Sequence, residues 1–318
     1  MTFAGSPERV EARLVPEAGY PFDPFPVSGL PRRAGGLLHA LTVDARAPRA
    51  CARILEARRP DVVLGGGGYV AGPMVYAAWR RRVPAALTEA DAHLGLANRL
   101  AAPFARRVFL AYPLPGRDGA KYRVVGRPVG PPAEVSRDEA RRLFSLPGED
   151  PVLLVFGGSQ GAEALNEAAL DAFAASGPAV LHLCGERYLE SLRGRVSRDG
   201  YRLLGWTDDF GAALVGADLV LARAGGSVWE VAAAAKPAVL VPSPNVTADH
   251  QTKNARYFAA GGGSVVVPEA ELARMPDLVR ALLADPRRLS EMGAAMLRAA
   301  RPRAADQIAE ELLALAAA

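Results

Sequence analysis

Short apolar segments alternate with helical segments along the whole chain, and no other feature of the sequence constrains the fold as strongly. The second half contains six apolar segments of strand length, at 152–156, 179–183, 202–204, 218–222, 238–241 and 264–267. The first half contains four, at 61–64, 83–87, 107–110 and 122–125. Strands that alternate with helices form parallel sheets covered by helices on both faces. The sequence therefore predicts an α/β fold of the Rossmann-like, doubly wound type.

The length of the chain predicts two domains, because 318 residues is about twice the ~150 residues of a typical domain. Prolines in the segment 126–132 interrupt both the helical and the strand periodicity, which places the joint there. We predict an N-terminal domain over residues 1–129 and a C-terminal domain over residues 130–300. A C-terminal helix within residues 301–318 is expected to pack back on the N-terminal domain.

The start of the N-terminal domain departs from the usual plan. A doubly wound domain normally opens with a strand, a tight glycine-containing loop and a helix. Here the chain opens with three strand-like residues around Phe3 and a helix predicted over residues 7–14. We therefore expect the first βα unit of this domain to be missing.

Composition excludes several classes of protein. Half of the residues are hydrophobic and 23% are charged, which is typical of a globular chain. No apolar run reaches the ~18 residues of a membrane span, and Met1–Ser6 lacks the segments of a signal peptide. Cys51 and Cys184 are too few for a disulfide framework or a zinc site. These features predict a cytoplasmic protein.

Charge is distributed unevenly along the chain. Residues 1–130 carry 19 Lys and Arg against 10 Asp and Glu, whereas residues 131–318 carry 19 against 24. A basic first half is typical of proteins that meet nucleic acid, an anionic membrane or an anionic substrate, although arginines on solvated faces give the same count. Because this half has no interleaved aromatic residues for base stacking, nucleic acid is not expected as a partner.

Three turns that follow apolar strands in the second half carry residues typical of a ligand site. The first places Gly157, Gly158 and Gly161 between a strand and a helix, where backbone N–H groups can surround an anion. Ser159 adds a hydroxyl that can donate to a phosphate or ribose oxygen. A tight turn without a ligand is the alternative.

The second turn combines glycines with a hydroxyl and a carboxylate. Gly225, Gly226 and Ser227 follow a strand and are expected to face a diphosphate. Glu230 can accept hydrogen bonds from both hydroxyls of a ribose. Alternatively, Glu230 is only an acidic residue placed favourably near a helix N-terminus.

The third turn is a proline-rich loop that enters a helix. Gln251 and Asn254 lie in the first turns of that helix, and amide side chains suit the hydroxyls of a sugar because they both donate and accept. The alternative is that this helix start has no ligand, with Asp249 serving only as its N-cap. Ligands of open parallel sheets bind at the carboxyl ends of the strands, so the three turns together favour one ligand site. The sequence has neither the lysine of a P-loop nor the spacing of a serine hydrolase elbow.

These motifs, in this order, resemble the peptidoglycan N-acetylglucosaminyltransferase (MurG) family. The resemblance is carried by residues 5–19, 60–73, 95–99, 157–166, 217–242 and 250–255. It implies two Rossmann-like domains that face a cleft (the glycosyltransferase B type). It also implies an inverting hexosyltransferase of peptidoglycan synthesis that moves GlcNAc from UDP-GlcNAc to the lipid-linked acceptor lipid I. Such an enzyme takes part in cell wall biogenesis and cell division, is peripheral on the cytoplasmic face of the anionic membrane, and needs no cofactor.

The resemblance also assigns roles to individual residues. The substrate-binding residues that it implies are Ser159, Gly161, Thr207, Gly225, Gly226, Ser227, Glu230, Gln251, Asn254 and Arg127. Among them, Thr207 would border the uracil and Glu230 would hold the ribose. Gln251 and Asn254 would bind the GlcNAc.

The sequence departs from the family pattern at several positions. The family's opening Gly-Gly-Thr-Gly-Gly-His loop falls before Met1, and its His-Glu-Gln-Asn motif reads Thr88-Glu89-Ala90-Asp91 here. Its Gly-Asn-Pro-Val-Arg motif ends in Gly130 instead of arginine, although Arg127 lies close by. The glycine turn before Glu230 is one residue shorter. These departures fall mainly on the side of the acceptor.

The expected mechanism is a single displacement in which an acceptor hydroxyl attacks the anomeric carbon while UDP leaves. A general base must take the proton of that hydroxyl, and Glu89 and Asp91 are the catalytic candidates, with Glu89 preferred. Capping of a loop is the alternative role. No metal site of Asp-x-Asp type is present in the sequence, and Asp208-Asp209 is predicted to open a helix.

A basic and apolar segment in the first half is a candidate for contact with the membrane. It consists of Tyr76, Val75 and Trp79 followed by Arg80, Arg81 and Arg82. The alternative is that Trp79 belongs to the core.

Two other functions remain open. A related glycosyltransferase or UDP-sugar epimerase of similar fold would act with another acceptor, and a non-catalytic remnant would bind UDP-sugar without turnover.

Overall fold

The computed structural model describes residues 1–28, 37–131 and 133–318; Pro132, part of the predicted joint, lies outside the described residues. The chain forms two compact units. The N-terminal unit comprises Met1–Val125 together with Ala305–Ala318, and the C-terminal unit comprises Gly126–Ala304. Arg127 therefore belongs to the C-terminal unit.

Parallel strands and helices alternate through both units, which confirms the predicted α/β class. The strands are β1 Phe3–Gly5, β2 Phe22–Pro24, β3 Val63–Gly65, β4 Ala85–Glu89, β5 Arg107–Leu110, β6 Tyr122–Val124, β7 Val152–Phe156, β8 Ala179–Leu183, β9 Tyr201–Leu204, β10 Leu219–Ala222, β11 Ala238–Leu240 and β12 Ser264–Val266. The helices are α1 Glu11–Glu17, α2 Leu37–Arg58, α3 Gly68–Arg80, α4 Leu96–Ala101, α5 Arg137–Leu143, α6 Glu163–Phe173, α7 Glu186–Arg193, α8 Phe210–Gly216, α9 Val228–Ala233, α10 His250–Ala260, α11 Met275–Leu283, α12 Pro286–Ala299 and α13 Ala304–Ala316. Short 3-10 segments lie at Ala102–Phe104, Thr247–Asp249 and Glu269–Arg274.

The described strands of the N-terminal unit form two parallel sheets. β1 pairs with β2, and a separate sheet has the order β3-β4-β5-β6. One face of the larger sheet packs through Leu87 and Val108 on helices that contribute Val75 and Cys51. Val75 is completely buried, so it cannot be part of an exposed membrane patch as the sequence suggested.

The second face of that sheet is covered by the last helix of the chain. Ala86, Phe109 and Val125 form a small cluster with Ile308 and Leu315 of α13. At the edge of this cluster, Glu311 of α13 accepts a hydrogen bond from Arg107 at 3.1 Å. Helix α13 is therefore part of the N-terminal unit, although it follows the whole C-terminal unit in the sequence.

The C-terminal unit is built on one parallel sheet with the order β12-β11-β10-β7-β8-β9. All five residues of β7 are buried, because helices cover both faces of a sheet of this kind. At the amino ends of the strands, the buried Arg141 pairs with Asp218 at 2.7 Å, and Asp218 also accepts from the N–H of Val152 at 2.8 Å. These contacts fix β7 and β10 against each other at the end of the sheet opposite to the glycine turns.

Several element bounds differ from the sequence prediction. Helix α1 begins at Glu11 rather than at residue 7 and continues through Pro16. Helix α3 begins at Gly68, the last residue of the run of four glycines, and ends at Arg80. None of the described helices is both long enough and apolar enough to span a membrane.

Candidate active site

The carboxyl ends of β7, β10 and β11 lie side by side in the C-terminal unit. Ala222 pairs with Phe156 on one side and with Leu240 on the other. Beyond these pairs, the N–H of Arg223 donates to Phe156 O at 3.3 Å and that of Val241 donates to Ala222 O at 2.8 Å. The strand order reverses between β7 and β10, and open α/β sheets bind their ligands at such switch points. All three ligand-type turns therefore begin at neighbouring positions on one edge of one sheet.

The turn after β7 is a tight glycine turn with Ser159 exposed at its tip. Gly161 closes it, since its N–H donates to Gly158 O at 2.9 Å. Its φ is +68°, and a Cβ there would overlap the carbonyl oxygen of Cys184. Only glycine fits these two conditions, and the result is a turn held firmly against the end of β8.

The turn after β10 brings an arginine and a glutamate together. The guanidinium of Arg127 lies so close to Gly226 that a Cβ on this glycine would overlap it. Glu230, on the first turn of α9, is partly buried, and burial raises the pKa of its carboxyl group while the nearby Arg127 acts in the opposite direction. The turn thus combines partly exposed backbone at Gly225, a cation and a partly desolvated carboxyl group.

The two amides of α10 are placed differently from each other. Gln251 accepts a hydrogen bond from the N–H of Ser243 at 2.9 Å through its side-chain oxygen, which leaves its NH₂ group to donate elsewhere. Asn254 is completely buried and donates to Ala224 O at 3.1 Å. Gln251 can therefore reach a ligand directly, whereas Asn254 holds the residue that precedes Gly225.

The entry to α10 is strained. Ala248 and Asp249 have φ values of +56° and +51°, a region that costs a non-glycine residue about 1–2 kcal/mol. Asp249 occupies the N-cap position, but its side chain makes no capping hydrogen bond, so simple capping does not explain it. Lys253 holds the segment by donating to Ala248 O at 2.8 Å. Strained backbone of this kind is concentrated at binding sites.

An exposed tryptophan follows β9 at the same edge of the sheet. Trp206 is 47% exposed, and its neighbour Thr207 accepts a hydrogen bond from the N–H of Asp209 at 3.1 Å. Helix α8 begins directly after Asp209, as the sequence predicted. The sequence analysis included Thr207 but missed Trp206, although a large aromatic residue next to a glycine after a strand was a usable signal.

A second residue that the sequence analysis missed is Arg223. Its guanidinium donates to the carbonyl oxygens of Val241 at 3.2 Å and Pro242 at 3.3 Å, and it pairs with Glu269. The side chain is only 10% exposed. It therefore fastens together the ends of β10 and β11 and the segment after β12.

The two proposed catalytic carboxylates lie in the N-terminal unit and differ in their surroundings. Glu89 is 8% exposed, and its Oε2 accepts from the N–H of Gly95 and from Asn98, each at 2.9 Å. Its Oε1 accepts from the N–H of Asp91 at 3.3 Å. Asp91 itself is partly exposed. Glu89 thus closes the loop after β4, which is the alternative role considered above, and Asp91 is the more accessible of the pair.

Comparison with known proteins places this geometry in a family. Residues 2–110 match the glycosyltransferase family 28 N-terminal domain, and residues 152–308 match the glycosyltransferase family 28 C-terminal domain. The chain is 41% identical over 329 residues to the UDP-N-acetylglucosamine--N-acetylmuramyl-(pentapeptide) pyrophosphoryl-undecaprenol N-acetylglucosamine transferase of Salinibacter ruber, which covers 99% of this chain and 88% of that protein. The chain belongs to glycosyltransferase family 28. The resemblance to the MurG branch of the family is thereby confirmed.

A second relative and a solved structure support the same family assignment. A transferase of the same name from Nocardioides is 40% identical over 321 residues, which is 96% of this chain and 87% of that protein. Among solved structures, MurG of Acinetobacter baumannii superposes with a TM-score of 0.78 at 28% identity, over 98% of this chain and 90% of that one. The predicted fold of the glycosyltransferase B type is confirmed by this match.

Proposed function

We propose that this chain transfers GlcNAc from UDP-GlcNAc to a lipid-diphosphate-linked muramoyl-pentapeptide acceptor, with inversion at the anomeric carbon. The observation that carries the proposal is the alignment of three ligand-type turns at the switch point of the C-terminal unit, in a chain whose relatives are transferases of this name. The contacts within these turns support a role for each part of the donor molecule.

The diphosphate of the donor would lie between the two glycine turns. Ser159 and the N–H groups around Gly161 would face it from one side, and Gly226 with Ser227 from the other. Arg127 supplies a positive charge beside Gly226. As the bond to the sugar breaks, negative charge develops on the leaving UDP, and a guanidinium fixed at that position stabilises it.

The nucleoside of the donor would be held by Glu230 and the loop after β9. A carboxylate accepts strong hydrogen bonds, and Glu230 is partly buried beside Gly226, so it is suited to the two ribose hydroxyls. The half-exposed indole of Trp206 offers a flat surface on which the uracil can stack. Thr207, next in the chain, would border the ring.

The sugar of the donor would be recognised through α10. The free NH₂ group of Gln251 would donate to a GlcNAc hydroxyl, because its oxygen is already occupied by Ser243. Asn254 would act through the turn that it holds at Ala224, since its side chain is completely buried.

On the acceptor side, we propose Asp91 rather than Glu89 as the general base. A base must be accessible to the acceptor hydroxyl. Asp91 is partly exposed, whereas Glu89 is 8% exposed and accepts hydrogen bonds within its own loop. Glu89 would instead hold the loop in which Asp91 is presented.

An aromatic patch on the N-terminal unit is proposed to attach the enzyme to the cytoplasmic face of the cell membrane. It consists of Tyr76, Trp79 and Phe104, whose rings lie 5.0–5.9 Å apart, with Leu96 and Leu100 exposed on α4. Exposed arginines adjoin it in the sequence at Arg80, Arg82, Arg99 and Arg106. Aromatic rings beside cationic side chains are typical of surfaces that rest on anionic lipid.

The experiment that tests the function uses the full chain with UDP-GlcNAc. Calorimetry should give saturable binding of UDP-GlcNAc, and labelled GlcNAc should pass to lipid I in lipid vesicles with release of one UDP per transfer. Binding without release of UDP from any acceptor would favour the non-catalytic remnant. Conversion of UDP-GlcNAc to its epimer without an acceptor would favour the epimerase.

A further inference from the structure

A buried histidine joins three elements of the C-terminal unit. His182, on β8, is completely buried, and burial lowers its pKa to about 3, so the imidazole is neutral at the pH of the cell. Its Nδ1 lies 2.7 Å from the hydroxyl of Tyr201 on β9. Its Nε2 lies 3.0 Å from Oδ1 of Asn166 on α6. None of these residues has a part in the function proposed above.

The direction of each hydrogen bond in this group follows from the bond between Asn166 and the carbonyl oxygen of Cys184. The NH₂ group of Asn166 donates to the carbonyl oxygen of Cys184 at 2.9 Å, so Oδ1 is the atom that faces the imidazole. An oxygen there accepts, which places the single proton of the neutral ring on Nε2. Nδ1 then accepts from the hydroxyl of Tyr201. The donors therefore run in one direction, from Tyr201 through His182 and Asn166 to Cys184 O.

The end point of this relay is the carbonyl oxygen on which Gly161 packs. A Cβ on Gly161 would overlap Cys184 O, and a Cβ on Gly185 would lie 2.7 Å from the nitrogen of Gly161. The glycine turn after β7 and the end of β8 are thus in direct backbone contact. Asn166 holds the same junction from the first turn of α6.

The junction is also hydrogen-bonded to the segment that precedes Trp206. The N–H groups of Cys184 and Gly185 donate to Leu204 O and Gly205 O, each at 2.9 Å. Gly205 directly precedes Trp206. A shift of the Cys184 carbonyl would therefore move both the turn of Ser159 and the start of this loop.

We propose that His182 is a positioning residue for the nucleotide-sugar donor, which fixes the Gly157–Gly161 turn through its Nε2–H bond to Asn166. The inference rests on the proposed binding of UDP-GlcNAc to that turn. The relay does not touch the donor, and it acts by holding one carbonyl oxygen where two loops meet.

Two substitutions at position 182 separate the two bonds of the imidazole. In His182→Gln, the side-chain NH₂ group occupies the region of Nε2 and keeps the bond to Asn166. In His182→Asn, the shorter side chain keeps an oxygen near the place of Nδ1 for Tyr201 but no longer reaches Asn166. Both lose one hydrogen bond and ring packing, so both are expected to lower the melting temperature.

Only the asparagine variant is expected to weaken donor binding. The dissociation constant and KM for UDP-GlcNAc should rise about tenfold in His182→Asn, because the Gly157–Gly161 turn is no longer held in one position; a tenfold change corresponds to ~1.4 kcal/mol of binding free energy. In His182→Gln, and in the control Tyr201→Phe, both constants should stay close to the wild-type values. The turnover number should change little in all three, because no group that touches the reacting atoms is altered.

Each outcome bears on one of the two proposals. If the wild-type chain does not bind UDP-GlcNAc, the proposed function fails. If it binds and both variants at position 182 have the same affinity, the positioning role is overturned. Should His182→Asn fail to fold, Asn166→Ala breaks the same link and must weaken donor binding. Nitrogen-15 NMR of the wild type should show His182 neutral and protonated on Nε2, and a proton on Nδ1 would refute the relay.

Discussion

Glu230 occupies its position in the proposed donor site at a cost to stability. Burial raises the pKa of its carboxyl group, so the folded protein keeps the proton to a higher pH than the unfolded chain does. From about pH 4.3, the ordinary value for glutamate, up to the raised value, the folded state binds more protons. Stability therefore falls as the pH rises through that window.

Replacement of this carboxylate should separate stability from binding. Glu230→Gln is expected to melt at the same or a higher temperature than the wild type above that window, and to lose the rise in stability that the wild type shows as the pH falls through it. Its affinity for UDP-GlcNAc should fall about tenfold or more, since a charged hydrogen-bond acceptor for the ribose is lost. Scanning calorimetry and titration calorimetry measure the two effects.

The matched control is Glu190→Gln. Glu190 is 83% exposed on α7, and its replacement should change neither property. An unchanged affinity in Glu230→Gln would remove this residue from the donor site.

Glu89 and Asp91 should also be separable by single isosteric changes. Glu89→Gln can keep its oxygen on Gly95 and Asn98 only by placing its NH₂ group opposite the N–H of Asp91, so at least one hydrogen bond is lost and the N-terminal unit should be destabilised by about 1–3 kcal/mol. Asp91→Asn should lower the turnover number with lipid I by about a hundredfold or more, as expected for loss of a general base. Steady-state kinetics and thermal unfolding of both variants check this. Full turnover in Asp91→Asn would rule it out as the base.

At single positions, chemistry was easier to predict than exposure. The sequence identified Asn254 as an amide near the donor site, but its complete burial depends on the packing of α10 against the sheet. Trp206 was missed for the converse reason: a tryptophan in an apolar chain is usually buried, and only the tertiary structure leaves this one half exposed. The sequence likewise could not show the hydrogen bonds that Glu89 accepts within its folded loop, and these bear on the choice between Glu89 and Asp91.

At the scale of secondary structure, strands were predicted better than the ends of helices. The predicted limits of β5, β7 and β8 agree with the structure to the residue, because these strands are almost entirely buried and most of their residues are apolar. β2 was missed, since Phe22–Pro24 lies in a proline-rich stretch without alternation. Helix α1 starts at Glu11, later than predicted, because the residues that precede it form turns.

The aromatic patch on α3 and α4 allows the proposed membrane attachment to be tested. The double variant Trp79→Ser and Leu100→Ser should lose most of its sedimentation with vesicles that contain anionic lipid, because two large apolar side chains no longer enter the lipid surface. Wild-type binding should itself weaken as salt is raised, since the adjacent arginines contribute through screened charge.

Leu313→Ser is a suitable control for this experiment. Leu313 is 71% exposed on α13 of the same unit, and its loss should leave vesicle binding unchanged. Equal binding by the double variant and the wild type would show that the aromatic patch is not the contact.

At the scale of the whole molecule, the chain returns to its first unit after completing the second. Helix α13 packs on β4 and β5 through Ile308, which is 5% exposed. Ile308→Ala should destabilise the N-terminal unit by about 2–4 kcal/mol, the usual cost of such a cavity. The donor residues lie in the C-terminal unit, so the affinity for UDP-GlcNAc should not change.

Hydrogen exchange with mass spectrometry can resolve this effect by unit. Amides of β4 and β5 should exchange faster in Ile308→Ala, whereas those of β7 and β10 should not. Leu313→Ala, in the same helix, should leave both sets unchanged. Equal acceleration in both sheets would mean that the two units unfold together.

The packing of α13 on the N-terminal unit also has a consequence for the order in which the two units complete their folding. Domains generally begin to fold as they leave the ribosome, the earliest first. Here Phe109 and Val125 stay without their covering helix until Leu315 has been translated, by which time every strand of the C-terminal unit has been made. The N-terminal unit is therefore the first to be synthesised and the last to be completed. Until α13 has been made, one apolar face of its larger sheet lacks the helix that covers it in the folded protein.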